Sequence, residues 1–115
     1  IKRLFDVMGP GMAEHFMFTA EKISADEALS CGLVQKLVKE EDLELFVNNY
    51  ASTISKNAPL TIKAMKQIGI EISKNSDDRD LLLCEQLASA CFDSEDYKEG
   101  RKAFMEKRSA NFKGI

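Results

Sequence analysis

Residues 94–115, Ser94-Glu95-Asp96-Tyr97-Lys98-Glu99-Gly100-Arg101-Lys102-Ala103-Phe104-Met105-Glu106-Lys107-Arg108-Ser109-Ala110-Asn111-Phe112-Lys113-Gly114-Ile115, decide how the rest of the chain is read. The spacing predicts one amphipathic helix over 94–108 with a basic end, capped by Asp93 or Ser94. Phe104 and Lys107 lie three apart, so on such a helix they share a face. A ring beside an ammonium suits a ligand with an apolar part and an anionic part. A second reading of the same residues makes Phe104 a core residue and Lys107 a solvated lysine that complements the helix dipole. Gly100 costs the helix on the order of 1 kcal/mol relative to Ala, which is worth tolerating where something packs closely against the backbone.

Upstream, the pattern is that of a mainly α protein. Ile1–Met8 ends a helix that Gly9-Pro10-Gly11 interrupts, and Met12, Phe16 and Met17 recur at helical spacing after it. Ser24 and Glu27 form a capping box ahead of a short helix over 25–31, with Gly32 where a left-handed cap is wanted. Leu33-Val34-Gln35-Lys36-Leu37-Val38 reads as one short strand. A lone strand has no partner of its own, so it pairs with a missing part of the protein or another copy, or stays an open edge.

Leu43, Phe46, Val47, Tyr50, Ala51 and Ile54 then mark a helix. Pro59 opens the next, with Ile62, Met65, Ile68 and Ile72 as its stripe. A polar turn over 75–80 precedes a helix over 81–92 that is apolar nearly all round, which predicts burial on two sides.

Composition narrows the function classes. With 115 residues the chain makes one domain with a modest core. No apolar run approaches the roughly 20 residues that span a bilayer, so no membrane partner is expected. The formal charge of −3 argues against nucleic acid as a partner. That charge is uneven: 98–113 holds six basic and two acidic residues, +4, which leaves −7 for the remainder. A basic terminus on an acidic body attracts a small anion without attracting DNA.

The titratable side chains suggest little chemistry of their own. Cys84 and Cys91 lie seven apart on one predicted helix, about 10 Å at 1.5 Å per residue, too far to bridge. With Cys31 they read as free thiols, which favours a cytoplasmic location, or the mitochondrial matrix in a eukaryote. One histidine, His15, and no Cys-x-x-Cys pair give no zinc pattern. His15 has no nucleophile at a diagnostic spacing, so no residue is assigned a catalytic role and none a metal. Glu40-Glu41-Asp42 and Asp77-Asp78-Asp80 read as solvated caps and lack the spaced oxygens of a calcium loop.

Three stretches, in order, resemble the crotonase superfamily of enoyl-CoA hydratases and isomerases. The first is Phe18-Thr19-Ala20-Glu21-Lys22-Ile23-Ser24-Ala25-Asp26-Glu27-Ala28 with Gly32-Leu33-Val34. The second is Asn57-Ala58-Pro59-Leu60 with Lys63 and Lys66. The third runs from Ser94 to Gly100, then Ala103 to Arg108 and Asn111-Phe112. Ala20 departs from the pattern, which usually has glycine there.

The resemblance implies that residues 1–115 are the family's helical C-terminal region, which mediates trimers that pair into hexamers. The N-terminal spiral of ββα units is then expected to be absent from this chain, as a first residue Ile1 rather than Met also suggests. It further implies an acyl-CoA substrate, with coenzyme A entering as part of the thioester and no separate cofactor. The implied parent is a 2-enoyl-CoA hydratase, whose two backbone N–H groups stabilise a thioester enolate, with its glutamates upstream of Ile1. Phe104 would border the acyl pocket and Lys107 would reach the CoA phosphates. The alternatives are an isomerase or another member of the family, or a non-catalytic helical self-association module. The chain alone is expected to be inactive.

Overall fold

A computed structural model describes all of residues 1–115, and every regular element in it is a helix. Seven α-helices, α1 Lys2–Met8, α2 Pro10–Thr19, α3 Ala25–Ser30, α4 Leu43–Ser55, α5 Pro59–Ile72, α6 Leu81–Phe92 and α7 Glu95–Met105, are joined by turns that include short 3-10 segments at Glu40–Asp42 and Ser76–Asp78. The chain divides into two compact units, Ile1–Phe46 and Val47–Ile115, and α4 runs across that division.

In the first unit, α1 packs on α2 through the Gly9-Pro10 corner, and Pro10 supplies the fixed φ of a first helical turn. The capping box at α3 forms as expected. The Glu27 N–H donates to Ser24 Oγ at 3.2 Å and the Ser24 N–H donates to Glu27 Oε2 at 2.9 Å. The Ser24 hydroxyl, which donates to the same Oε2 at 2.6 Å, and after it the Ser24 N–H hold the Glu27 carboxyl below the ordinary carboxylate range. Gly32 takes the left-handed conformation, φ +79°, that ends the helix. Ala20, which stands where the family pattern has glycine, keeps a left-handed φ of 52° and closes α2 with its N–H on the Phe16 carbonyl. The turn survives the substitution and bears the Cβ strain, on the order of 1 kcal/mol.

The expected strand over 33–38 does not form. The segment bends over 33–35 and makes no ladder; Val34 N–H donates to the Ala28 carbonyl and Gln35 Nε2 to the Gly32 carbonyl. β-Branched residues bounded by Gly32 supply the propensity, but a strand exists only by pairing, and no residue of the chain pairs with this segment in a ladder. Leu33, Leu37 and Val38 stay exposed.

In the second unit α5 packs on α6, and α6 on α7. The α5 face that is covered centres on Ala64 and Glu71, not on the expected stripe, of which Met65 and Ile72 are more than half exposed. Glu71 is buried because it is satisfied: Lys74 Nζ donates to both its oxygens at 2.7–2.8 Å and the Asp80 N–H donates at 3.1 Å. These bonds, Lys74 foremost, hold its carboxyl low. The expectation that α6 is buried on two sides is also corrected. Leu83, Cys84, Leu87, Ala88 and Cys91 form one half-buried stripe, while Leu81, Leu82 and Phe92 are exposed. Asp80 and Ser94 cap α6 and α7, each side-chain oxygen accepting a backbone N–H three residues on.

Candidate functional site

The terminal helix ends earlier than its periodicity suggests. α7 stops at Met105, Glu106 is the cap, and Lys107 swings into the left-handed region at φ 53°. The Lys107 N–H donates to the Phe104 carbonyl at 3.2 Å and the Arg108 N–H to the Ala103 carbonyl at 3.1 Å. This pair of bonds is a Schellman turn. Phe104 and Lys107 are therefore brought together across a turn that closes the helix, and the shared helix face read from the sequence is not formed. Glycine is the usual occupant of this position; a lysine there bears strain of about 1 kcal/mol.

Two carboxylates of α7 hold everything after that turn. Asp96, only 3% exposed, accepts the Lys113 N–H at Oδ1 (2.6 Å) and the Gly114 N–H at Oδ2 (2.7 Å), and its own N–H donates to the Ile115 carbonyl at 3.2 Å. Gly114 has φ +77°, and a Cβ there would touch Pro59. One helical turn on, Glu99 takes both arms of the Arg108 guanidinium at 2.6 and 2.9 Å and the Asn111 N–H at 2.8 Å. Arg108 Nε also donates to Glu106 at 2.6 Å. The Arg108 contact, followed by the Asn111 N–H, lowers the Glu99 carboxyl to about 2. The bonds to Glu99, and after them the bond to Glu106, raise Arg108 above its ordinary value.

The segment so held lays Phe112 along α7. A Cβ on Gly100 would stand 3.4 Å from the Phe112 ring, so the close packing inferred from that glycine is present. Around it runs an apolar groove of about 470 Å³, lined by Phe92, Tyr97, Gly100, Arg101, Phe104 and Phe112 among others. Phe92 and Tyr97 meet edge to face at 5.2 Å, and the Arg101 guanidinium lies 6.0 Å from the Tyr97 ring centre. Phe104 is 81% exposed on this groove in this chain. Lys107 sits exposed at the turn, and its ammonium makes no hydrogen bond or ion pair. Of the other cations at this end of the chain, Lys98 pairs with Glu95 and Arg108 with Glu99 and Glu106, while Lys102 and Lys113, like Lys107, make no ion pair.

Of the other side chains singled out, Cys91 lines the same groove. His15, on α2, stands 3.8 Å from Glu21 and is more than half exposed. The acidic clusters form the 3-10 turns ahead of α4 and α6. Cys31, Cys84 and Cys91 are free thiols. No three His, Cys, Asp or Glu side chains converge as metal ligands would, and no helix is long and apolar enough to cross a membrane. Sequence reading did not single out Asp96, Glu99 or Arg108. The one signal was the pair of acids three apart on a basic helix.

By class, this is an all-α chain whose last helix carries an exposed aromatic groove and a cationic turn. Over residues 1–115 it matches the enoyl-CoA hydratase/isomerase family, and it belongs to that family. It is 39% identical over 111 residues to the crotonyl-CoA hydratase of Syntrophomonas wolfei, covering 96% of this chain and 43% of that protein. It is 38% identical over 107 residues to the methylmalonyl-CoA decarboxylase of Escherichia coli, covering 90% of this chain and 40% of that protein. Among solved structures, an enoyl-CoA hydratase from Bacillus anthracis superposes with a TM-score of 0.84 at 32% identity, over 98% of this chain and 44% of that one. The chain thus spans less than half the length of these relatives.

Proposed function

We propose that this chain is the C-terminal helical region of a 2-enoyl-CoA hydratase, where it makes contacts between subunits and contributes Phe104 and Lys107 to the binding of the CoA thioester. The ring borders the acyl group and the ammonium meets a CoA phosphate. The observation that carries this reading is an 81% exposed phenylalanine on an apolar groove, one turn from an unpaired lysine. A large ring left in water is unfavourable unless something covers it, and a cation with no intramolecular partner is free to meet an anion. Coenzyme A enters as part of the substrate.

The methylmalonyl-CoA decarboxylase match, at 38% against 39% for the hydratase, favours a second reading in which the parent performs another reaction on a CoA thioester. Both readings use the CoA handle in the same way. Self-association accords with the apolar side chains on α4, α5 and α6, including Leu45, Met65 and Leu82, each more than 60% exposed.

A hydration assay on a short 2-enoyl-CoA tests the proposal. The full-length protein is expected to turn it over and to sediment as a trimer or a pair of trimers, while the 115-residue chain shows no turnover. Turnover by the chain alone, suppressed by free CoA, would overturn the assignment of the chemistry to the rest of the protein.

A further inference from the structure

We infer that Glu99 is a positioning residue for Lys107, acting through the Arg108 guanidinium to hold the turn from which Lys107 reaches its ligand. The inference rests on the reading of Lys107 as a phosphate ligand and adds to it a residue that touches no ligand.

The argument begins with a conformation that lysine does not favour. At φ 53° Lys107 sits where L-residues are disfavoured, and two backbone hydrogen bonds of 3.1–3.2 Å close the turn around it. Bonds of that kind at a helix end open readily unless the residues beyond are held. Here both neighbours of Lys107 are held. Glu106, before it, and Arg108, after it, are joined to each other at 2.6 Å. Arg108 is in turn fixed to Glu99 by two parallel bonds, a planar fork that lysine could not reproduce. The Glu99 oxygen that takes Arg108 Nη1 also takes the Asn111 N–H, so the strand of chain leaving the turn is tied to the same carboxylate.

The network also shapes charge. Lys107 is flanked in sequence by an acid and a base, and either could have paired with it or repelled its ligand. Instead Arg108 engages both Glu106 and Glu99, so Glu106 is paired with Arg108 and not with the Lys107 ammonium. The Lys107 ammonium is left as a charge at the tip of a braced turn. An ordered cation loses less conformational entropy on meeting a phosphate than one on a frayed helix end. Phosphate anchoring is made alike in ground and transition states, so its loss shows in KM more than in kcat.

Steady-state kinetics on the full-length enzyme with Lys107→Ala, Glu99→Gln and the double variant test this, alongside amide hydrogen exchange at Lys107 and Arg108. Lys107→Ala is expected to raise KM for the CoA thioester on the order of fivefold with kcat little changed. Glu99→Gln is expected to raise KM by a similar factor and to speed exchange of both amides, with little further effect in the double variant. Arg108→Lys, which keeps the charge but loses the fork, should fall between wild type and Glu99→Gln, and supplies the same measurement should Glu99→Gln not fold. An unchanged KM in Lys107→Ala would remove the phosphate reading and this inference with it. A raised KM in Lys107→Ala with an unchanged one in Glu99→Gln, or KM effects that multiply in the double variant, would overturn the inference alone. A fall in kcat with KM unchanged in Glu99→Gln would mark a purely structural role and overturn it equally.

Discussion

Two irregular tracts of this chain have opposite fates. Residues 106–115 leave α7 and turn back along it, and four of them are received by carboxylates of that helix: Arg108 and Asn111 by Glu99, Lys113 and Gly114 by Asp96. Residues 33–38 leave α3 with better strand-forming side chains and find no such partner. Apolar residues with β propensity do not order a segment by themselves, because each backbone N–H and C=O must still be satisfied. A polar tail with poor propensity is ordered when a neighbouring helix offers acceptors at the right spacing. Asp96 and Glu99, three apart, lie on one side of α7 and do this.

The largest expected effect follows from removing one acceptor. Asp96→Ala removes the acceptor of two part-buried backbone hydrogen bonds and should destabilise the chain by about 1–3 kcal/mol in urea denaturation. Asp96→Asn, which keeps one acceptor oxygen, should lose roughly half as much. A loss below about 0.5 kcal/mol for Asp96→Ala, the range of an ordinary surface change, would mean the tail is held by something other than this carboxylate.

An intermediate effect follows from pH. Glu99 has a folded value of about 2 against an ordinary 4.5, the Arg108 guanidinium being the first cause and the Asn111 N–H the second. A depressed carboxyl stabilises the folded state fully above its unfolded value, and that contribution is lost as pH falls through the folded value. Thermal melting of the wild type should therefore fall relative to Glu99→Gln between about pH 5 and pH 2, with no divergence between pH 6 and 8. Parallel melting curves across the acid range would break the link between Glu99 and the tail.

The smallest effect belongs to the other tract. Val38→Thr should change the stability of this chain by less than about 0.5 kcal/mol, because the side chain is already 39% exposed and its backbone joins no ladder. A larger loss in chemical denaturation would show that 33–38 is paired in solution, and the contrast between the two tracts would disappear.

What was legible in the sequence is what local rules govern. The Ser24–Glu27 capping box, Pro59 at the head of α5, the left-handed Gly32 and the Ser94 cap each involve residues within four positions of one another, and all are present. Gly100 was legible for a related reason, since a glycine inside a helix asks for a close neighbour, and Phe112 is that neighbour.

The rest depended on partners distant along the chain. Nothing in the Lys107 side chain announces a left-handed turn, so a helix over 94–108 was the natural reading and the shared face of Phe104 and Lys107 followed from it. Asp96 and Glu99 look like solvated acids of a first and second turn until backbone groups 12 to 18 residues away return to them. On α5, periodicity named the large residues, whereas α6 packs over small Ala64 and over Glu71, which is affordable to bury because Lys74 and Asp80 satisfy it. The candidate site was thus legible as two residue names, and its geometry was not.

The central claim, that the turn after α7 grips the phosphate end of a CoA thioester while Phe104 meets its acyl end, is tested most directly by a crystal structure of the full-length protein with a bound 2-enoyl-CoA. The expected result places Lys107 Nζ about 3 Å from a phosphate oxygen, with φ of Lys107 still left-handed and the Phe104 ring against the acyl chain. A fully occupied thioester with the Lys107 ammonium in solvent and Phe104 away from the acyl group would contradict it.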